Sequence, residues 1–174
     1  ETMTFDYPIA HKGDVVDDYH GTQVADPYRW LEDPDSEETR AWVAAQGELT
    51  YPYLASLPKR DEIEARLTEL WDYPKYGAPF ERGGRYFFSK NDGLQNQSVL
   101  YRTADPSTDG DVVLDPNAFS EDGTVSLAGM EISPNASYIA FAKSDGGSDW
   151  DTWHLLDLNT MQELPDLVGF TKFT

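Results

Sequence analysis

Ile132-Ser133-Pro134-Asn135-Ala136-Ser137-Tyr138-Ile139-Ala140-Phe141 runs from a polar turn directly into an apolar segment, and it has an earlier counterpart in the chain. Tyr138-Ile139-Ala140-Phe141 is followed by Lys143, by Asp145-Gly146 and by a second apolar run, Trp153-His154-Leu155-Leu156. Tyr86-Phe87-Phe88 is followed in the same way by Lys90, by Asp92-Gly93 and by Val99-Leu100-Tyr101, with Val112-Val113-Leu114 further on. Short β-branched and aromatic runs separated by Asp, Asn, Gly and Pro predict strands joined by turns. A set of such strands returning after about fifty residues is the pattern of propeller blades. The Ile132–Phe141 stretch reads as the turn and strand that open a blade. Two repeats are too few to close a propeller, because each blade buries its faces against neighbours. The chain is therefore expected to be part of a longer protein.

The sequence before Pro74 has a different period. Residues 17–33 are rich in turn formers and read as turn and extended chain. Asp35, with Glu38 three residues on, predicts a capped helix whose Ala41, Trp42 and Ala45 share a face. Pro52 and Pro58 are expected to interrupt it. A second helix is expected from Asp61, with Glu64 as its capping partner and Ile63, Leu67 and Leu70 as an apolar stripe. It should end by Tyr73, because the residue before a proline disfavours the helical conformation.

Composition narrows the function. The 174 residues carry 32 acidic and 13 basic side chains, a net charge of -19, with 39% hydrophobic and 13% aromatic residues. That is a globular composition, and its charge repels phosphate backbones, so no nucleic-acid partner is expected. No stretch of about 18 apolar residues occurs, so no membrane span is expected. There is no cysteine, which excludes disulfides, thiolate metal sites and a cysteine nucleophile. Asn96-Gln97-Ser98 and Asn135-Ala136-Ser137 match the glycosylation sequon, which matters only in a secreted protein.

Candidate chemistry is sparse. Gly146-Gly147-Ser148-Asp149-Trp150 approaches the G-x-S-x-G nucleophile elbow, but Trp150 stands where the last glycine is needed for close strand–helix approach. Its setting between two strands is also wrong, so Ser148 reads as part of a polar turn. His11, His20 and His154 show no pattern of a triad base or of metal-ligand spacing. Asp145, Asp149 and Asp151 cluster without the loop of an EF-hand. Carboxylate pairs for glycoside hydrolysis are expected by coincidence among so many acids. No catalytic residue, no metal site and no cofactor is expected in this chain.

An ordered series of motifs resembles the prolyl oligopeptidase family. It begins with Asp26-Pro27-Tyr28-Arg29-Trp30-Leu31-Glu32-Asp33 and continues with Trp71-Asp72-Tyr73-Pro74-Lys75-Tyr76, Asn91-Asp92-Gly93-Leu94-Gln95-Asn96-Gln97 and Leu114-Asp115-Pro116-Asn117. Gly147-Ser148-Asp149-Trp150 and Thr171-Lys172-Phe173 complete it. The resemblance runs from Tyr7 onward. It implies a mixed α and β fold in which residues 1–72 are the first segment of an α/β-hydrolase peptidase domain and residues 73–174 are the first blades of a seven-bladed β-propeller. The change of period near Pro74 agrees with that boundary. The implied activity is serine-type cleavage of short peptides after proline, with the triad outside this chain. Phe173 matches an aromatic that lines the substrate pocket, and Tyr73 matches a residue at the domain junction. The implied partners are short proline-containing peptides and the remaining C-terminal part of the same protein. The alternatives are cleavage after Arg or Lys, as in the related oligopeptidase B group, and a non-catalytic propeller used as a binding scaffold. A cytoplasmic location is expected, or a periplasmic or secreted one if a signal peptide has been removed.

The acidity has two readings, an ordinary solvated surface or adaptation to high salt, where self-repulsion is screened. The ordinary reading is the expected one. A melting temperature that stays constant between low and molar salt supports it, and one that climbs steeply with salt supports adaptation.

Overall fold

A computed structural model describes residues 5–172. The chain divides into two compact units, Glu1–Ala65 and Arg66–Thr174.

The first unit opens with a hairpin, β1 (Val16–Tyr19) and β2 (Thr22–Ala25). His20 and Gly21 at its turn both take positive φ, 56° and 90°, as the tight turns between twisted strands require. The Asp18 carboxylate accepts from the Gly21 amide at 2.6 Å. The sequence reading expected only turn and extended chain here. The hairpin escapes it because β1 and β2 lack an apolar alternation and are held by this local turn chemistry. A short 3-10 turn, Arg29–Glu32, follows. Arg29 ties it back to the hairpin by donating to Asp26 (2.5 Å) and to Asp17.

Helix α1 spans Glu37–Ala55. Its cap is Ser36, not the expected Asp35: Ser36 is extended (φ -63°, ψ 144°) and its hydroxyl accepts from the Thr39 amide at 3.1 Å. The Asp35 amide instead donates to the Asp33 carboxylate in the preceding turn. The Thr39 hydroxyl donates to the Trp30 carbonyl at 3.0 Å, joining the helix start to the 3-10 turn. The helix also runs through Pro52, which was expected to interrupt it. Proline there forfeits one i→i−4 bond, and the last turn closes beyond it, with Ser56 donating to the Pro52 carbonyl at 3.0 Å.

Helix α2 spans Arg60–Trp71 and ends before Tyr73, as Pro74 requires. Asp61 lies inside its first turn, so it is not the cap, and Glu64 accepts from the Arg60 side chain at 2.9 Å. Ile63, Leu67 and Leu70 form the expected stripe, and each is more than half exposed.

The second unit holds two antiparallel sheets. The first contains β3 (Lys75–Tyr76), β4 (Phe80–Arg82), β5 (Arg85–Asn91), β6 (Val99–Thr103) and β7 (Asp111–Leu114), in the order β3-β5-β6-β7, with β4 also on β5. The second contains β8 (Val125–Ile132), β9 (Tyr138–Asp145), β10 (Asp151–Asp157) and β11 (Gln162–Thr171), each beside its sequence neighbour. The Ile132–Phe141 stretch therefore sits between the first and second strands of its sheet and does not open it. The strand before it, Val125–Ile132, carries Ser126, Ala128, Gly129 and Glu131, which dilute the apolar signal. The turn itself is organised by Ser133, whose hydroxyl accepts from the Ser137 and Tyr138 amides at 3.1 and 3.0 Å.

Between the two sheets lies one core. Phe87, Leu100, Val113 and Leu114 come from the first, and Ile132, Ile139, Phe141, Leu156 and Leu158 from the second and its β10–β11 turn. Phe119, in the connection between the sheets, stacks on Phe141 at 5.8 Å. Polar bonds stitch the same interface. The Gln97 side chain donates to the Val125 carbonyl and accepts from the Leu127 amide, both at 2.9 Å. Asn117 accepts from the Gln97 amide and donates to its carbonyl, again at 2.9 Å. Arg102 donates to the Leu158 carbonyl at 2.6 Å. At Gly83 (φ +57°) a Cβ would stand 2.6 Å from the Asn135 carbonyl, so glycine lets the β4–β5 turn approach the other sheet.

Gln97→Leu keeps the volume but strands the Val125 carbonyl and the Leu127 amide. The expected loss is about 1–3 kcal/mol, read as a lower urea midpoint with an unchanged slope. Asn96→Ala, which removes one exposed bond to the Gly123 carbonyl, is expected to lose less than about 0.5 kcal/mol.

Candidate functional site

The motifs of the second unit, apart in sequence, gather at one end of its two sheets. Lys75 donates to the Gly93 carbonyl at 2.6 Å, and its ammonium lies over the rings of Trp71 (5.2 Å) and Tyr73 (5.1 Å). Pairing of β3 with β5 places Lys75 opposite Asn91. The Asn91 side chain accepts from the Gly93 amide and donates to the Gln95 carbonyl, each at 2.9 Å, and the Gln95 side chain accepts from the Asp92 amide. Residues 71–76 and 91–97 thus form one locked junction, and Gln97 carries it on to Asn117 and the second sheet. Tyr73 stands in this junction with half its surface exposed.

A second convergence joins the last two motifs. The turn after β9 is held by the Ser144 hydroxyl, which donates to the Ser148 carbonyl at 2.7 Å, and by the Ser148 hydroxyl, which accepts from the Trp150 amide at 3.0 Å. Across from it, Lys172 pairs with Asp149 at 2.9 Å and lies over the Trp150 ring at 5.4 Å. Phe170 meets Trp150 edge to face at 6.3 Å. Phe173, the aromatic assigned to the substrate pocket by resemblance, lies outside the described residues.

The histidines have other partners. His11 stacks on Trp30 at 4.8 Å and pairs with Glu38 at 2.8 Å. His154 stacks on Phe141 at 5.3 Å and pairs with Glu163. His20 occupies the hairpin turn. Ser148 lies in a strand-to-strand turn, with its hydroxyl engaged by the Trp150 amide. Among the described residues, no group of three or more His, Asp or Glu is arranged to hold a metal ion, so Asp145, Asp149 and Asp151 are not brought together as one. No helix among them is long and apolar enough to cross a membrane.

The shifted ionisations belong to structural turns. Asp105 is held below the usual carboxylate range by the Ser107 amide and then the Ser107 hydroxyl, and Asp122 is lowered in the same way by Thr124. Asp157 is lowered by the Asn159 amide, and Arg29 is raised by its bonds to Asp26 and Asp17. Each is explained by hydrogen bonds that shape a turn, not by burial in a reactive site.

Sequence reasoning missed an open pocket of about 280 Å³ on the first sheet, lined by Tyr76, Pro79, Phe88 and Pro106 among others. Phe88 and Tyr101, stacked at 5.5 Å, lie on the face opposite Phe87 and Leu100. The sequence signal for them is the alternation Phe87-Phe88 and Leu100-Tyr101, in which both strand faces are apolar or aromatic.

Comparison with known proteins gives the family. Residues 7–174 match the family described as prolyl oligopeptidase, N-terminal beta-propeller domain. A prolyl endopeptidase of Elizabethkingia meningoseptica is 46% identical over 168 residues, covering 97% of this chain and 24% of the relative. A dual function macrocyclase-peptidase of Amanita bisporigera is 32% identical over 179 residues, covering 94% of this chain and 24% of the relative. A solved structure from a study of two prolyl endopeptidases superposes with a TM-score of 0.80 at 35% identity, covering 94% of this chain and 24% of that one. Oligopeptidase B from Leishmania major superposes with a TM-score of 0.75 at 17% identity, covering 94% of this chain and 26% of that one, a likeness of fold alone. The chain belongs to the prolyl oligopeptidase family and carries strands of its N-terminal β-propeller. It spans about a quarter of the length of the curated relatives named above.

Gly93 takes φ +139°, and a Cβ there would stand 2.3 Å from an Asp72 carboxylate oxygen. Gly93→Ala is expected to cost about 1–3 kcal/mol and to loosen the junction, read as faster amide exchange at Gln95 and Asn96 than at Ile139.

Proposed function

We propose that this chain is the N-terminal portion of a serine endopeptidase that cuts short peptides on the carboxyl side of proline. Residues 1–72 supply the first segment of its α/β-hydrolase domain, and residues 73–174 the first blades of a seven-bladed propeller. The observation that carries the reading is the convergence at the sheet ends. Motifs matched in family order, 71–76 with 91–97 and 147–150 with 171–172, are bonded to one another in space, over a chain 46% identical to a prolyl endopeptidase.

In this reading the reactive groups belong to the rest of the protein. A serine attacks the carbonyl, a histidine takes its proton and returns it to the leaving amine, and an aspartate orients the histidine. Proline suits an apolar pocket because its rigid ring loses little entropy on binding. The present residues contribute the scaffold and the gate. The stripe Ile63, Leu67 and Leu70 on α2 packs against the remaining hydrolase segment, and the apolar outer sheet faces pack against further blades. Tyr73 marks the passage between the two domains. Phe173 lines the pocket beyond the proline subsite.

The test is hydrolysis of two blocked reporter amides by the full-length protein, one ending in Gly-Pro and one in Arg. The expected result is a preference for Gly-Pro of at least about 100-fold in kcat/KM, as a site built for one side chain gives, abolished by a serine-directed inhibitor. A preference for Arg moves the activity to the oligopeptidase B type. Cleavage of neither leaves the propeller as a binding scaffold.

A further inference from the structure

Lysine is used in one way in the second unit, and one lysine departs from it. The unit holds Lys75, Lys90, Lys143 and Lys172. Each ammonium lies over aromatic rings: Lys75 over Trp71 and Tyr73, Lys90 over Tyr76 and Tyr101, Lys172 over Trp150, and Lys143 over Phe119 (4.8 Å) and Phe141 (5.4 Å). Three of them also reach an oxygen: the Gly93 carbonyl for Lys75 (2.6 Å), Asp92 for Lys90 (3.1 Å) and Asp149 for Lys172 (2.9 Å). Lys143 reaches none among the described residues. Lys90 and Lys143 stand at the same place in the two repeats, yet Asp92 pairs with Lys90 while Asp145, also two residues on, forms no pair with Lys143. A ring face attracts the cation but does not accept its three N–H donors as oxygens do. A second donor stands beside this one. Thr152 lies directly opposite Lys143 in the β9–β10 pairing, so the two side chains leave the same face of the sheet. The Thr152 hydroxyl also has no hydrogen-bond partner among the described residues. Neither donor is sealed from solvent: among those residues the one sealed side-chain nitrogen or oxygen without a partner is the Trp42 indole nitrogen. Phe119 stacks on Phe141 at 5.8 Å, so the rings beneath the lysine are fixed and hold its ammonium in place.

We propose that Lys143 and Thr152 form a receiving site for a carboxylate side chain of the bound peptide. The inference rests on the peptidase reading of the whole protein. A carboxylate brings two acceptor oxygens; one takes the ammonium in a charge-assisted bond and the other takes the neighbouring hydroxyl. The charge of the chain gives the site its use. At a net charge of -19 the surface repels acidic peptides, and an ammonium that no carboxylate of the protein has neutralised offers them a point of attachment. Lys90 and Lys172 are already paired with Asp92 and Asp149 and do not offer one. The site binds and discriminates; it touches none of the reacting groups, so its effect falls on KM.

The experiment uses the full-length protein and two blocked peptides with Gly-Pro at the centre, one flanked on both sides by Glu and the other by Gln, which has the same shape without the charge. Lys143→Gln is expected to raise KM for the Glu peptide about three- to fivefold more than KM for the Gln peptide, the range of a partly exposed ion pair. Thr152→Val, which keeps the shape and removes the hydroxyl, is expected to raise the same ratio about twofold. Lys143→Arg should keep the ratio of the unaltered protein, and kcat should change alike on both peptides. Lys90→Gln, which removes a lysine already paired, should leave the ratio where it was. A ratio unmoved by Lys143→Gln overturns the site, and a melting temperature lowered in the same variant then assigns the partner of Lys143 to an acid elsewhere in the protein. A shift as large in Lys90→Gln as in Lys143→Gln overturns it too, since the effect is then one of overall charge. If Lys143→Gln fails to fold, Thr152→Val decides, and an unmoved ratio there overturns the site. Cleavage of both peptides with any of these failures leaves the peptidase reading intact. Cleavage of neither peptide by the unaltered protein overturns that reading and the site with it.

Discussion

Phe87 and Phe141, each almost wholly removed from water, sit on facing sheets of the second unit and mark the contact on which its structure depends. Neither sheet can bury a face alone, and a single antiparallel meander leaves both faces wet. Packing the two together buries the Phe87, Leu100, Val113 and Leu114 face against the Ile132, Ile139, Phe141 and Leu156 face. Burial of this kind is non-directional, so it does not by itself decide how the sheets align. The Gln97 amide, bonded to both Val125 and Leu127, and Arg102, bonded to Leu158, supply that direction. Each would leave backbone groups unpaired if the sheets slid by a residue.

The same constraint explains where the family motifs lie. An antiparallel meander returns alternate connections to one end, so the loops after β5, β7 and β9 gather beside the point where the chain arrives from α2. Lys75, Gly93, Gln97 and Asn117 form one side of this region, and Ser148, Trp150 and Lys172 another. Residues far apart in sequence thus share a surface on a rigid base, which is where a propeller can present groups to a partner domain. Among the described residues none of this surface has the arrangement of a reactive site, and its one lowered carboxylate, Asp122, shapes the turn before β8. The contacts of this surface are hydrogen bonds, ion pairs and ring contacts that hold the turns to one another.

The first unit is organised by charge and local caps more than by burial. Arg29 draws Asp17 and Asp26 together, Ser36 and Thr39 join the helix start to Trp30, and Trp30 stacks on His11 and meets Trp42 edge to face. Single exposed ion pairs of this type contribute little each. Here the pairs fix the course of the Asp26–Asp33 segment, while the side chains of Val43 and Ile63 in the same unit are more than half exposed.

By itself the sequence determined the class of each segment. Alternating aromatic and β-branched residues marked β5, β6, β7, β9 and β10, because side chains in a strand alternate between faces. Pro74 marked the end of α2, because proline constrains the residue before it. The ordered motifs marked the family, since no single one is specific and their succession along the chain is. What only the tertiary structure decided were features whose energy comes from distant partners. Ser36 rather than Asp35 caps α1 because the Asp35 amide is engaged by Asp33 and Thr39 reaches Trp30. The helix survives Pro52 because its last turn closes beyond the break. Strand β8, with its glycine and polar residues, is a strand because β9 and Gln97 satisfy its backbone. And the Gly147–Trp150 turn, ambiguous as a string of letters, is a seat for Lys172 because β11 returns beside it. Local propensity is carried by neighbours in the chain, and these outcomes are carried by neighbours in space.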